Sequence, residues 1–194
     1  MKVLALTDNH GRRITIEEGE LDLIVISGDI TQFGGYDEAR EVIEPIVRLG
    51  IRLLAVPGNC DYPGVGKYLD EIRANCDGRI ISVDNLTFAG LGGSNPTPCN
   101  TPNEFPEEDL TDKLTRFSNR DISVLITHPP PFNTLVDRTA SGGHAGSKAV
   151  RNFIESAKPN LVLCGHIHEA GGEDWIGLTR IINPGPGPGV IIDL

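Results

Sequence analysis

The sequence has no surplus of positive charge: 17 Lys and Arg stand against 27 Asp and Glu, a formal net charge of −10. That balance argues against an extended nucleic-acid surface, which needs basic residues to neutralise phosphates. Bound divalent cations would offset the charge locally, so a small phosphate ligand stays compatible with it. Cysteine is sparse. Cys60, Cys76, Cys99 and Cys164 form no C-x-x-C pair, and the chain is too long for a small disulfide-dense scaffold, so reduced thiols in a cytoplasmic setting are expected. No apolar run approaches bilayer-spanning length, which excludes a membrane span. Met1-Lys2 leads into a short apolar run before Thr7-Asp8, which is no signal peptide. Internal repeats and low-complexity tails are missing too. A chain of 194 residues is most simply one domain, residues 1–194, with room for a sizeable core.

What is there is an alternation of strand-like and helix-like segments, which predicts an α/β fold. Apolar runs at 3–6, 21–27, 51–56, 122–127 and 161–163 read as strands, as do 79–83, 86–91, 175–182 and 190–194. Segments 36–49, 64–75, 107–119 and a stretch ending near 157 carry helical periodicity. Residues 14–20 are ambiguous, with a short helix one reading. In the first helix Val42, Ile43, Ile46 and Val47 share a face, Asp37 is the expected N-cap and Gly50 the stop. Pro45 predicts a kink or an early end. Asp84-Asn85 reads as a hairpin turn, which suggests a second, partly antiparallel sheet. The loop 92–106 is long enough to be functional; a lid over a site and a plain surface excursion are equally weighted. Trp175 reads as packing, and 183–189 as a rigid turn.

The ends of the apolar runs carry the functional signal. They stop at Asp8-x-His10, Gly28-Asp29, Gly58-Asn59-Cys60-Asp61, His128 and Gly165-His166-x-His168. Each alone is an ordinary turn or a core histidine. Runs such as 23–26 and 123–126 are apolar on both faces, as in a parallel sheet covered by helices, and in such sheets the carboxyl ends of the strands share one edge where ligands bind. Asp8, His10, Asp29, Asn59, His128, His166 and His168 should therefore converge. Two carboxylates, one amide oxygen and four imidazoles suit Mn, Fe, Co, Ni or Zn better than Mg or Ca. They are too many for one structural zinc and suit two ions sharing a carboxylate, an arrangement made for phosphate-ester hydrolysis. The Gly-rich turn 141–147 offers free backbone donors to an anion, although flexible entry with Ser capping is the favoured reading; His144 is a further candidate for contacting substrate.

This ordered set resembles the calcineurin-like metallophosphoesterase superfamily, and Asn183-Pro184-Gly185 resembles a turn of its small prokaryotic, YfcE-like phosphodiesterases. The resemblance implies a four-layer αββα sandwich of two mixed sheets flanked by helices. It implies that Asp8, His10, Asp29 and His168 hold one metal and that Asp29, Asn59, His128 and His166 hold the other, with Mn the first expectation. Asn59 and Asp61 fall among the implied catalytic positions. Most members carry a histidine, thought to protonate the leaving group, where this chain has Cys60. A thiol has a reference pKa near ~8.5 and nearby cations push it lower, so packing is the slightly favoured reading of Cys60 and His144 is another candidate acid. The expected activity is hydrolysis of small phosphodiesters by a hydroxide bridging two divalent metals. A phosphomonoesterase or nuclease is the alternative within the superfamily, and a non-catalytic scaffold, like a retromer subunit that also resembles it, is the alternative outside catalysis. A homo-oligomer stays open.

Overall fold

Alternating side chains along the central strands sort themselves into separate cores, and the layers follow from that sorting. The computed structural model describes residues 1–16 and 20–194. In β1 (Lys2–Leu6) and β2 (Leu23–Ser27), Leu4, Leu6, Ile24 and Ile26 face helices, while Val3, Ala5, Leu23 and Val25 face a second sheet. Strands apolar on both faces belong in a covered, largely parallel sheet. β1, β2 and β3 (Arg52–Val56) are parallel, with β10 (Val190–Asp193) antiparallel on the β1 edge. The second sheet runs in the order β4 (Ile80–Val83), β5 (Leu86–Leu91), β6 (Val124–Thr127), β7 (Leu161–Leu163), β9 (Thr179–Asn183), β8 (Gly172–Ile176). Its four middle strands are parallel and its outer pairs antiparallel.

Helices α1 (Tyr36–Val47) and α2 (Pro63–Glu71) cover the first sheet through Ala39, Val42, Ile43, Ile46, Val65 and Leu69. Helices α3 (Glu107–Thr115) and α4 (Lys148–Ala157) cover the second through Leu110, Leu114, Val150, Phe153 and Ile154. Between the sheets lies a middle core with Phe88 fully buried. The expected four-layer sandwich of two mixed sheets is thus the observed architecture.

Several local expectations need correction. α1 starts before Asp37: Gly35 is its N-cap, and the Glu38 carboxylate accepts the Gly35 N–H at 2.9 Å. Asp37 instead lies in the first turn, where its charge suits the helix dipole. α1 passes through Pro45 and ends at Val47, short of the expected Leu49, and Val47, expected on the inner face, is 38% exposed. α2 stops at Glu71 rather than near 75, and α3 at Thr115 rather than near 119. The run 175–182 is two strands, because Gly177 turns the chain at φ +60° between β8 and β9. β8 is an edge strand, so Trp175, expected to pack, is 55% exposed. Of the ambiguous stretch, 14–16 and 20 are not helical and 17–19 lie outside the described residues. Among the described residues no helix is long and apolar enough to cross a membrane.

Removing the ring at the centre of the middle core should be costly. Phe88→Ala is expected to destabilise the fold by about 3–5 kcal/mol, read from the urea midpoint; a shift corresponding to less than about 1 kcal/mol would mean that the two sheets do not depend on this contact.

Candidate metal centre

The carboxyl ends of β1, β2 and β3 and those of β6 and β7 lie in different sheets, yet they open on one cleft. The expectation of a single sheet edge is corrected: the edges of two stacked sheets are aligned. Contacts across the stack fix the alignment. His128, at the end of β6, places Nδ1 2.7 Å from the carbonyl of Ser27, at the end of β2. Gly165 N–H, just past β7, donates to the His128 carbonyl at 3.0 Å. The loops after β1 and β2 are tied by Asp8 N–H to Gly28 O, His10 N–H to Asp29 O and Gly11 N–H to Ile30 O, at 2.9–3.1 Å.

These ties hold the ligand loops in an unusual backbone conformation. Asp8, His10, Asp29 and His166 all have positive φ, from 48° to 72°. Left-handed backbone costs an L-residue roughly 1–2 kcal/mol, and such strain gathers at functional sites. Two glycines of the motifs have a steric purpose. A Cβ on Gly58 would overlap the Asp29 carboxylate, and one on Gly165 would overlap the Thr7 hydroxyl.

Ligand atoms of six of the seven expected residues, Asp8, His10, Asp29, Asn59, His128 and His168, lie close together in this cleft, while His166 joins them through its backbone N–H, which donates to Asp8 Oδ2 at 3.0 Å. Nε2 of His10 lies 2.9 Å from Nε2 of His168, 3.8 Å from Asp8 Oδ1 and 3.7 Å from Asp29 Oδ2. His168 Nε2 is 3.3 Å from Asp8 Oδ1. Deeper in, His128 Nε2 is 2.8 Å from Asn59 Oδ1 and 3.4 Å from Asp29 Oδ1. The His166 ring packs edge-on against His128 at 5.1 Å between centroids. Ligand atoms of Asp8, His10 and His168 form one close group and those of Asp8, Asp29 and His128 another; Cys60 Sγ joins His10 and Asp29 in a third, each within 4.8 Å.

The donor chemistry fits cations. Ser27 O only accepts, so a hydrogen bond from His128 requires the proton on Nδ1, and Nε2 turns its lone pair toward two oxygens that also only accept. Three lone pairs at such distances are stable only around a proton or a metal ion. Asp8 Oδ1 is buried without a hydrogen-bond partner, the orphan acceptor a metal would satisfy. Nitrogen-plus-oxygen sets of this kind suit first-row transition ions.

The electrostatics of the metal-free chain agree. Burial disfavours a charged His128, but the Asp29 carboxylate outweighs it and pushes the ring up to about 9. Burial also opposes ionisation of Asp8 and Asp29, yet the neighbouring imidazoles hold both carboxyls below the usual range. His166 is held down to about 4 by burial and by the His128 charge, which keeps it a neutral, ligating imidazole. In the metal-free chain burial and Asp29 push the Cys60 thiol up; the acidification expected from cations concerns the loaded centre.

The remaining expected site residues are placed differently. Asp61 spends both oxygens on its own frame, accepting from Ile30 N, Thr31 N, Thr31 Oγ1 and Gly58 N at 2.7–3.1 Å, and so ties together the loops bearing Asp29 and Asn59. His144 Nδ1 donates to the Asp137 carboxylate at 2.6 Å and its ring packs on Phe132, with no direct contact to the metal-site residues among those described. The backbone donors that the 141–147 turn and the start of α4 could offer an anion are taken within the chain: the Glu107 carboxylate accepts from Ser147 Oγ, Lys148 N and Ala149 N. Ser147 does cap α4, accepting Val150 N–H at 3.2 Å. The loop 92–106 is anchored beside the cleft. It doubles back, and Gly93 N–H, Asn103 N–H and Asn103 Nδ2 bond the Pro57, Asn59 and Gly58 carbonyls. Asn183 supports the opposite wall, donating to Ile167 O at 3.0 Å while accepting Gly185 N–H. Its turn was legible as a rigid element; its grip on the loop between His166 and His168 was not.

A proton and a cation compete for His128 Nε2. The ring's raised pKa means that the metal-free chain holds this proton at neutral pH and loses it only as pH rises through about 9. Affinity for Mn²⁺ is therefore expected to climb from pH 7 toward about 9 and then level, with proton release on binding. Calorimetry at pH 7 in buffers of different ionisation enthalpy measures that release; binding with no proton exchanged would contradict the assignment.

Comparison with known proteins bears on the family and the fold. The model for the calcineurin-like phosphoesterase family matches residues 1–170. An uncharacterized protein of Methanocaldococcus jannaschii, MJ1162, is 39% identical, covering 96% of this chain and 88% of that protein. A probable glycerophosphodiester phosphodiesterase of Arcobacter nitrofigilis is 22% identical over 89% of this chain and 66% of its own length. A probable cyclic nucleotide phosphodiesterase of Synechococcus is 25% identical over 77% and 58%. The chain thus spans two thirds or less of these two enzymes. TT1561 of Thermus thermophilus shares the fold with a TM-score of 0.73 at 15% identity, over 95% of this chain and 89% of that one. With the family match covering most of its length, this chain belongs to the calcineurin-like phosphoesterase family.

Proposed function

We propose that the protein is a metal-dependent phosphodiesterase that hydrolyses small phosphodiesters at a centre for two divalent cations, with manganese the first choice and Fe, Ni, Co or Zn also suited. The observation that carries this reading is the setting of Asp29. Its Oδ1 faces His128 at 3.4 Å and its Oδ2 faces His10 at 3.7 Å, so one carboxylate serves both donor groups. Cations in such a pair supply a water ionised near neutral pH and positive charge against the phosphoryl oxygens.

The chain's own residues prepare the place. Ser27 fixes the His128 tautomer through its carbonyl, and the Cys60 N–H holds Asp29 Oδ1 at 2.8 Å. Asp61 locks the loops behind them. His168 is the half-exposed edge of the cleft, with 46% of its side chain accessible, and substrate enters there. Cys60 stands where most superfamily members carry the imidazole thought to protonate the leaving group, so substrates whose leaving group needs no proton should be favoured. The net charge of −10 favours small substrates over polymers. The names of the two enzyme relatives support a diester over a monoester. Four free thiols suit a reducing cytoplasm.

Hydrolysis of bis(4-nitrophenyl) phosphate with Mn²⁺, set beside 4-nitrophenyl phosphate and DNA, tests the reading. Faster turnover of the small diester is expected; no turnover with any divalent metal, or a clear preference for the monoester or for DNA, would overturn it. Asp29→Ala should abolish both activity and paired metal binding. Cys60→His should raise rates on alkyl diesters by about tenfold or more, within what a general acid supplies, and barely change rates on aryl diesters. An equal gain on both would show that leaving-group protonation is not what the thiol lacks.

A further inference from the structure

We infer that Glu104, acting through Thr101, is a positioning residue that decides which end of the Asn59 amide faces the metal centre; this rests on the reading of Asn59 as a metal ligand. An amide has two unlike ends. Its oxygen can ligate a cation and its NH₂ cannot, yet both ends have nearly the same shape, so packing alone discriminates poorly between them. Asn59 is buried at 4% exposure. One end of its amide lies 2.8 Å from His128 Nε2, and the other lies 2.8 Å from Thr101 Oγ1. A threonine hydroxyl donates or accepts with equal ease, so Thr101 by itself would accommodate either orientation.

Glu104 removes that freedom. Its Oε1 lies 2.5 Å from Thr101 Oγ1 and 2.8 Å from Thr101 N. Thr97 adds a hydroxyl bond to the same oxygen at 2.6 Å and an N–H bond to Oε2 at 3.0 Å. A carboxylate with four donors aimed at it stays ionised and only accepts. Burial works against its charge, but the hydrogen bonds from Thr101 and Thr97 prevail and hold Glu104 down to about 2. The single hydroxyl proton of Thr101 is therefore committed to Glu104, and its oxygen meets Asn59 only as an acceptor. The amide NH₂ must face Thr101, and the amide oxygen must face His128 and Asp29. The polarity of the whole chain of bonds is set at Glu104, two residues removed in contact from any cation.

The loop is built to hold this relay in register. Asn103, next to Glu104, bonds the Gly58 carbonyl through its side chain at 2.9 Å and the Asn59 carbonyl through its N–H at 3.1 Å. Ser94 and Phe105 close the base of the loop through the Phe105 N–H to Ser94 O bond at 2.8 Å. These backbone ties persist when the relay is altered, so polarity can be tested apart from folding.

Glu104→Gln keeps the shape but admits a donor, which lets the relay run backwards and the amide turn over. Thr101→Val deletes the relay, and Thr101→Ser preserves it. In Mn²⁺ calorimetry the weaker of two binding events should lose about 10–100-fold in affinity in E104Q and T101V, the usual effect of losing an outer partner of a ligand, while T101S matches wild type. In the metal-free proteins, the Asn59 side-chain amide protons followed by NMR should exchange slowly with solvent in wild type and T101S, and faster in T101V and E104Q. Equal exchange in all four proteins, or T101S behaving as T101V, overturns the inference. The expected exchange pattern in a wild-type protein that binds no divalent cation would instead leave the relay standing and defeat the phosphodiesterase reading.

Discussion

Lone pairs turned toward one another in a largely buried cleft are the constraint on which this molecule depends. The oxygens of Asp8, Asp29 and Asn59 and the Nε2 atoms of His10, His128 and His168 point inward at separations of 2.8–3.8 Å. Asp8 Oδ1 is buried with no hydrogen-bond partner among the described residues. Without positive charge among them these groups would repel, and the metal-free chain offers only partial relief, a proton kept on His128 by Asp29. Divalent cations meet the need far more fully than protons do, since one ion neutralises several acceptors at once. Nothing in the three cores requires such an arrangement. They would be equally well packed with neutral residues at the strand ends.

The strain at the ligands is tolerable because the scaffold beneath them is over-determined. Asp8 and Asp29 leave strands buried on both faces, Val3 to Leu6 and Leu23 to Ile26, and His128 leaves β6, which is paired on both sides. A left-handed residue at the end of such a strand can relax only by pulling the strand out of two cores. Asp and His also accept this conformation more readily than branched residues. The ligand side chains therefore combine coordinating chemistry with tolerance of the tight turns that bring them inward, which is one reason why the same residues read both as turns and as ligands.

That double meaning governs how much could be read from the sequence. The strands were legible because their apolar runs are uninterrupted, and the convergence was legible because parallel strands end on a common side. The pairing of two sheets was not legible from the runs alone; only the consecutive strands around Asp84-Asn85 hinted at it. Gly177 was hidden inside a run whose apolar residues continue on both sides, so β8 and β9 merged, and the position of Trp175 on an edge strand could not be foreseen. Asp61 was placed among the catalytic positions by the family resemblance, because it ends the Gly58-Asn59 motif. Its actual work depends on the N–H groups of Ile30 and Thr31, remote in the chain and carrying no sequence mark. Glu107 filling the N-terminus of α4 was invisible for the same reason: a long-range carboxylate supplied what a local motif seemed to invite from solution.

The supports share a logic that bears on how the centre is assembled. Asp61 binds the loops after β2 and β3 together, Asn183 holds the segment between His166 and His168, and Asn103 clamps the Gly58-Asn59 turn. Each is a side chain bonded to backbone, and each bond is made without a cation. Ligand loops closed in this way have their conformational entropy removed during folding, so ion binding does not have to order them. A centre that still had to be organised on binding would give up part of its affinity to that ordering. Here the hydrogen-bonded frame and the buried strands bear the cost in advance, so a cation held by these residues would meet lone pairs already aimed at it. The cleft is thus preorganised by polar residues that never touch the ion, which is why so little of its construction shows in the motifs that mark the ligands themselves.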